Sequence, residues 1–223
     1  MPALIIAILV VLALWWFLKG TSPAEQTTPS TSATSSTQTT ASSTTTGTPL
    51  QNHVVQAPSI STEDTISSWD TKGFDNDNGP KEAAEREAIS KLEAMLGKGD
   101  DIQIHISIAQ KYDYIGEGEL AYKHLSAAIT GDVQETSGVA WHNLGVVMEK
   151  LGAYHTARTA YEQAIRIQPQ LSAFHISRVE LMIYHFPKDT VAVEKSFKDA
   201  EALFGAESPM LLDLRARWKT IAQ

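Results

Sequence analysis

The chain has 223 residues, a formal net charge of -8 at pH 7 and no cysteine. This length allows one globular domain with appended segments, and the negative charge excludes the basic surface that is typical of nucleic-acid-binding proteins. Without cysteine, disulfide frameworks and thiolate zinc sites are also excluded. The sequence carries no metalloprotease, serine hydrolase, Walker or dinucleotide-binding motif. We therefore predict no catalytic residue, metal or cofactor, and we do not expect an enzyme.

The chain begins with an uninterrupted apolar run, residues 3–18, which has a tryptophan pair at positions 15 and 16, near its end, and is followed by Lys19. As a helix the run would extend about 24 Å, at the short end of what crosses a bilayer. Aromatic and basic residues at one end are typical of an interfacial anchor. The sequence thus predicts a transmembrane helix over residues 1–20. A cleaved signal peptide is the alternative, but no positive side chain precedes the run.

A polar segment, residues 21–79, follows the apolar run. Its first part, residues 21–48, has 19 Ser or Thr among 28 positions, with no aliphatic side chain larger than Ala. Such a segment buries too little apolar surface to offset its ordering entropy, so we expect a disordered linker. An O-glycosylated stalk is a second interpretation of this composition. Two aromatics near the end of the linker, Trp69 and Phe74, are expected to dock on the folded domain or on a partner.

The folded domain is predicted to span residues 80–223 and to be helical. Pro80 is typical of a first helical position, and Gly97 is typical of a helix end. The next unit, residues 102–135, repeats a pattern of small and apolar residues that recurs 36 positions later along the chain. Its members are Ala109, Tyr112, Gly116, Ala121, Leu125 and Ala128.

The second unit, residues 138–171, shows this pattern most completely. Small residues would let two antiparallel helices approach closely, large apolar residues would fill the space between them, and a proline would stop the second helix. The positions concerned are Trp141, Leu144, Gly145, Gly152, Ala157, Tyr161, Ala164 and Pro169. This order of residues resembles the 34-residue tetratricopeptide repeat, a helix–turn–helix unit. The resemblance implies an all-α fold of stacked hairpins, an α-solenoid, that serves as a scaffold for binding other proteins.

The pattern weakens after Pro169. Residues 172–205 are interpreted as a degenerate third repeat, in which either Arg178 or Glu180 would replace a core leucine, depending on the register. Residues 208–222 form a final apolar stripe with an N-terminal Ser-Pro, as expected of a helix that caps a repeat array.

The resemblance also implies a binding site on the concave side, lined by the first helix of each repeat. The positions that correspond in this sequence are Gln103, Ile106, Gln110, His142, Asn143, Val146, Glu149 and, in one register of the third repeat, Arg178. Some members of the family hold a partner's terminal carboxylate with a clamp of Lys, Asn and Arg. Only Asn143 matches that clamp, so the groove is expected to take a helix or an extended peptide of another kind.

These observations predict a membrane-tethered adaptor that concentrates a protein partner near the bilayer, in the assembly of cell-envelope complexes. Tethering raises the effective concentration of a partner without adding contacts. The Ser/Thr-rich linker favours a periplasmic or other extracytoplasmic domain on a single-pass anchor. A cytosol-facing receptor and a homo-oligomeric structural module are the alternatives.

Overall fold

The computed structural model describes residues 55–73 and 79–222. Eight helices occur in these residues: α1 (Pro80–Glu93), α2 (Asp101–Tyr114), α3 (Gly118–Gly131), α4 (Val139–Lys150), α5 (Tyr154–Ile167), α6 (Ser172–His185), α7 (Thr190–Phe204) and α8 (Pro209–Ile221). None of these described helices is long and apolar enough to cross a membrane. The transmembrane helix predicted for residues 1–20 and the docking of Phe74 lie outside the described residues.

The helices form three consecutive hairpins, α2–α3, α4–α5 and α6–α7. Each hairpin packs on the next, α1 packs on α2, and α8 packs against α6 and α7. Short loops join the two helices of each hairpin, and in the first two a glycine in the left-handed region follows the first helix, with φ of 88° at Gly116 and 76° at Gly152. The predicted all-α arrangement of repeated hairpins is confirmed.

The second hairpin is held by a close approach of α4 to α5. The Tyr161 ring is almost fully buried, and a Cβ atom added at Gly145 would lie 2.4 Å from that ring. Ala157 and Ala164 are fully buried on the same helix as Tyr161. Glycine at 145 is therefore a steric requirement of this hairpin, because any side chain there would push the ring out of its place.

The third hairpin has a register that the sequence left open. Phe174, Arg178, Val179 and Met182 are buried, as are the residues 34 positions earlier, Ala140, Leu144, Gly145 and Met148. The second helix of the hairpin is shifted further: Val193 and Phe197 lie 36 positions after Ala157 and Tyr161. The loop before α7, residues 186–189, is longer than the loop at residues 151–153, which accounts for part of this shift. Arg178 thus stands at the core leucine position.

Residues 55–73 form an extended segment, which we call the strap, that crosses the first two hairpins. Its Trp69 ring packs on Tyr122 with centroids 5.6 Å apart, and the Tyr122 hydroxyl donates to the Pro58 carbonyl at 2.6 Å. The Thr71 N–H donates to the Gly116 carbonyl at 3.1 Å, and the Gly118 N–H donates to the Trp69 carbonyl at 2.9 Å. A Cβ atom at Gly118 would lie 2.5 Å from that carbonyl, so glycine permits this contact.

The strap also caps the N-terminus of α5, a helix that is distant from it in sequence. Ala153, the residue just before α5, has no side-chain acceptor for the first N–H groups of the helix. Instead Asp64 accepts from the backbone N–H groups of His155 and Thr156 at 3.1 and 2.7 Å and from the Thr156 hydroxyl at 2.6 Å. These are the donors that an N-cap side chain normally satisfies. Burial alone would raise the pKa of Asp64, but these hydrogen bonds outweigh it and hold the pKa below its usual value.

The strap corrects the interpretation of residues 21–79 as one disordered linker. Residues 55–73 lie within that interval, yet they contact the folded hairpins through backbone, carboxylate and aromatic groups. Composition predicted disorder because few of these residues are apolar, whereas the strap is held by hydrogen bonds to residues 42 to 95 positions away and by the packing of Trp69 on Tyr122. The docking of Trp69 on the chain's own domain is confirmed.

We predict that Asp64→Ala lowers the free energy of unfolding by about 0.5–2 kcal/mol, the usual effect of losing an N-cap. The cap works as a carboxylate, so its stabilisation is present above the unfolded pKa of about 3.9 and is lost as the pH falls through the lower folded pKa. Urea unfolding of residues 55–223 at neutral pH measures the change.

The control is Thr65→Ala, one residue away on the exposed side of the strap. It should leave stability unchanged and the strap resistant to protease, whereas Asp64→Ala should make the strap cleavable. Equal stability of the two variants would contradict the capping role of Asp64.

Candidate functional site

The first helices of the three hairpins, α2, α4 and α6, form one face that carries two cavities. The smaller, of about 50 Å³, lies between α2 and α4 and is bordered by Gln110, Asp113 and Asn143. The larger, of about 460 Å³, lies between α4 and α6 and is bordered by Glu149, Lys150, Tyr161, Ser177, Glu180 and His185. Val146 borders both. We call this face the groove.

Two carboxylates give the larger cavity its character. Burial raises the pKa of both Glu149 and Glu180. Glu149 accepts a hydrogen bond from the Tyr161 hydroxyl at 2.9 Å, and the His185 Nε2 atom lies 3.6 Å from its other oxygen. Nearby Arg217 partly offsets the effect of burial on Glu180. The raised pKa values mean that these carboxylates are only partly compensated, so a donor or a cation placed in the cavity would stabilise them.

The remaining strong charges at the groove are paired with each other. Lys150 Nζ lies 2.5 Å from Asp113 Oδ2, an ion pair that joins α4 to α2. Burial of the Tyr161 hydroxyl and the nearby Glu149 raise the pKa of Tyr161, so it remains a hydrogen-bond donor at neutral pH. The floor of the groove therefore offers apolar contact at Val146 and acceptors at Glu149 and Glu180.

Most of the residues predicted to line the groove lie on this face. The predicted residues that border its cavities are Gln110, Asn143, Val146 and Glu149. Gln103 is exposed on α2, about two helical turns before Gln110. The Gln103 amide lies 3.5 Å from the hydroxyl of Ser107.

Three predicted groove residues are placed elsewhere. Ile106 is only 1% exposed, because it packs in the main core between the first two hairpins. His142 stacks on Phe174, with ring centroids 4.8 Å apart, and its Nε2 atom lies 2.9 Å from the Ser177 hydroxyl. Arg178 is buried toward α7, where it contacts Asp199. At Ile106 and His142, positions that the family resemblance assigns to the groove are thus occupied by residues that contact a neighbouring hairpin.

The structure adds groove residues that the sequence did not indicate. Ser177 and Glu180 line the larger cavity from α6, and Tyr161 and Lys150 line it from the second hairpin. Once the third hairpin is aligned 34 residues after the second, Glu180 corresponds to Val146, which was in the predicted set. The missing signal was thus the register, which the degenerate sequence of α6 did not fix.

We predict that His142 stays neutral well below pH 6. Burial lowers its pKa to about 4, whereas an unfolded histidine has a pKa of about 6.5. Between these values the unfolded chain binds more protons, so stability falls as the pH is lowered through this window, by up to roughly 3 kcal/mol. An NMR titration of the histidine ring signals gives the pKa directly.

Urea unfolding at pH 4.5 and at pH 7 provides the second measurement. The difference between the two free energies of unfolding should be smaller for His142→Gln than for the wild type. A His142 signal that titrates near pH 6.5 would contradict its burial between the second and third hairpins.

The geometry agrees with the comparisons to known proteins. The tetratricopeptide repeat family model matches residues 138–171, which comprise α4, α5 and the turn that follows them. No curated protein matches the chain. The described helices thus form an array of hairpins in which the middle hairpin is similar to a tetratricopeptide repeat and has a further hairpin on either side.

Proposed function

We propose that this protein is a scaffold that binds a segment of a protein partner in the groove of α2, α4 and α6, while its N-terminus holds it at a membrane. Tetratricopeptide repeats are protein–protein interaction modules, and the match to residues 138–171 supports that class of function. The observation that carries the proposal is the pair of cavities on one face, which meet at Val146.

The chemistry of the groove supports a helical or extended segment with apolar and basic or hydrogen-bond-donating side chains. Val146 supplies apolar contact, and the partly compensated Glu149 and Glu180 supply acceptors. An amphipathic helix or extended chain presents such alternating groups to a groove. The proposed role is binding and not catalysis, in keeping with the scaffolding role of the repeat family.

The membrane part of the proposal rests on sequence. Residues 3–18 contain no polar side chain, and two tryptophans and Lys19 follow the aliphatic part. Such a run is typical of a single-pass anchor. The composition of residues 21–48 supports an extracytoplasmic position for the repeats, where an envelope assembly factor would meet its partners.

For the groove, we predict that Val146→Glu in the full-length chain abolishes partner capture from membranes, because a third carboxylate would fill the junction of the two cavities. Val191→Glu is the matched control, since Val191 is 81% exposed on α7. Melting temperatures of both variants show whether the fold is kept.

Should Val146→Glu reduce stability, Glu180→Lys serves as the second variant, because it reverses the charge of one groove side chain at a half-buried position. Partners that bind all three variants with wild-type strength would show that the groove is not the binding surface. Captured material that consists only of further copies of this chain would support the self-assembly alternative instead.

For the anchor, we predict that the full-length chain stays in the membrane fraction after alkaline carbonate extraction. Protein of residues 21–223 should be released by the same treatment, because it lacks the apolar run. Release of the full-length chain would contradict the anchor, and an N-terminus that begins after residue 20 in the mature protein would identify a cleaved signal peptide.

A further inference from the structure

Arg178 is a charged residue in a position where the repeat normally buries a leucine. Its side chain is 8% exposed, and it stands 34 residues after the fully buried Leu144. A buried charge is costly unless it is paired and hydrogen-bonded. Arg178 meets this condition only in part: Nη2 donates to Asp199 Oδ2 at 2.5 Å, but Nε is buried and makes no hydrogen bond to any described residue.

Asp199, the carboxylate that Arg178 contacts, is shared with a second cation. Lys195 Nζ lies 2.7 Å from the same Asp199 oxygen. Arg178, Lys195 and Asp199 therefore carry a net charge of +1. Burial would raise the pKa of Asp199, but the bonds from Lys195 and Arg178 outweigh it and hold the pKa below its usual value. The cluster around Asp199 thus has an excess of positive charge. The side chain of Lys195 is 70% exposed, so it is able to reorient toward a ligand.

Beside these charges lies an open cavity of about 420 Å³ between α5, α6 and α7. Ile165, Met182 and Ala192 form its apolar wall. Arg166 and Glu162 stand at the rim on α5, and Arg166 is held by a two-pronged contact to Glu135. The cavity uses Arg178 and Met182 of α6, whereas the groove uses Ser177 and Glu180. It is therefore on a different face of this helix.

We infer that this cavity is a second binding site, which takes a carboxylate carried next to an apolar side chain of a partner polypeptide. The carboxylate lies between Arg178 and Lys195 and supplies a further acceptor for the Arg178 guanidinium, which has only one described hydrogen bond. The apolar neighbour packs on Ile165, Met182 and Ala192. A single net positive charge suits a carboxylate better than a phosphate monoester, which carries nearly two negative charges at neutral pH.

The test uses the full-length chain in detergent and two fluorescein-labelled, capped peptides with the cores Leu-Glu-Leu and Leu-Gln-Leu. Fluorescence anisotropy gives their affinities. We expect the glutamate peptide to bind roughly tenfold more tightly, as a charge-assisted contact provides. Unlabelled glutamate peptide should displace it, and inorganic phosphate at the same concentration should not.

Arg178→Leu should abolish the preference for glutamate. It restores the residue type found at position 144, and Asp199 keeps Lys195 as its partner and is 32% exposed at its side chain, so no unpaired buried charge is left and the variant is expected to fold. Lys195→Ala, at an exposed side chain, is the second variant and should reduce the preference several-fold. Glu180→Gln, on the groove face of the same helix, should leave it unchanged.

Four outcomes overturn the inference. Equal affinities of the two peptides for the wild type exclude a carboxylate site. A preference that survives in folded Arg178→Leu and in Lys195→Ala places the carboxylate elsewhere, and a preference lost in Glu180→Gln places it in the groove. Displacement by phosphate as effective as by the glutamate peptide identifies a general anion site instead.

Discussion

The contacts of Tyr161 connect the packing of this molecule to its groove. The ring fills the interior of the second hairpin, where a Cβ atom on Gly145 would overlap it. Its hydroxyl reaches Glu149 at the floor of the groove, and its ring lies 5.5 Å from that of His142. His142 in turn stacks on Phe174 of the third hairpin. Tyr161 therefore holds the second hairpin together and orients an acceptor in the groove. Through His142 it is also in contact with the residues that join the second and third hairpins.

The first hairpin differs from the second at two positions that face each other across its helices. The tryptophan position of the second repeat, Trp141, corresponds to His105, and Ala160 corresponds to His124. Trp141 and Ala160 border one cavity in the second repeat, whereas His105 and His124 meet with their Nδ1 atoms 2.9 Å apart. A large and a small residue are thus replaced by two of intermediate size. Such paired replacement keeps the packed volume while it changes the chemistry.

The sequence predicted the hairpins because their determinants are local. Small residues at 145, 157 and 164 and the aromatic residue at 161 lie within one repeat, so their spacing already describes how two helices meet. The third register was not predictable in this way, since Arg178 breaks the pattern and the loop before α7 is longer. Three groove assignments failed for a related reason: the family pattern gives the direction of a residue on its own helix, but Ile106 and His142 are covered by a neighbouring hairpin and Arg178 faces α7.

The strap was missed because its contacts, the hydrogen bonds of Asp64 and the packing of Trp69 on Tyr122 among them, are all long-range. Asp64 is separated from Thr156 by 92 positions, and no local pattern links an acidic residue in a polar segment to an uncapped helix that far away. The consequence is geometrical. The chain joins the folded hairpins at residues 55–58, beside Trp141 and Tyr122, and not at Pro80 before α1. Loss of the strap contacts would therefore affect the first two hairpins together, because the same segment binds α3 at Tyr122 and caps α5 through Asp64.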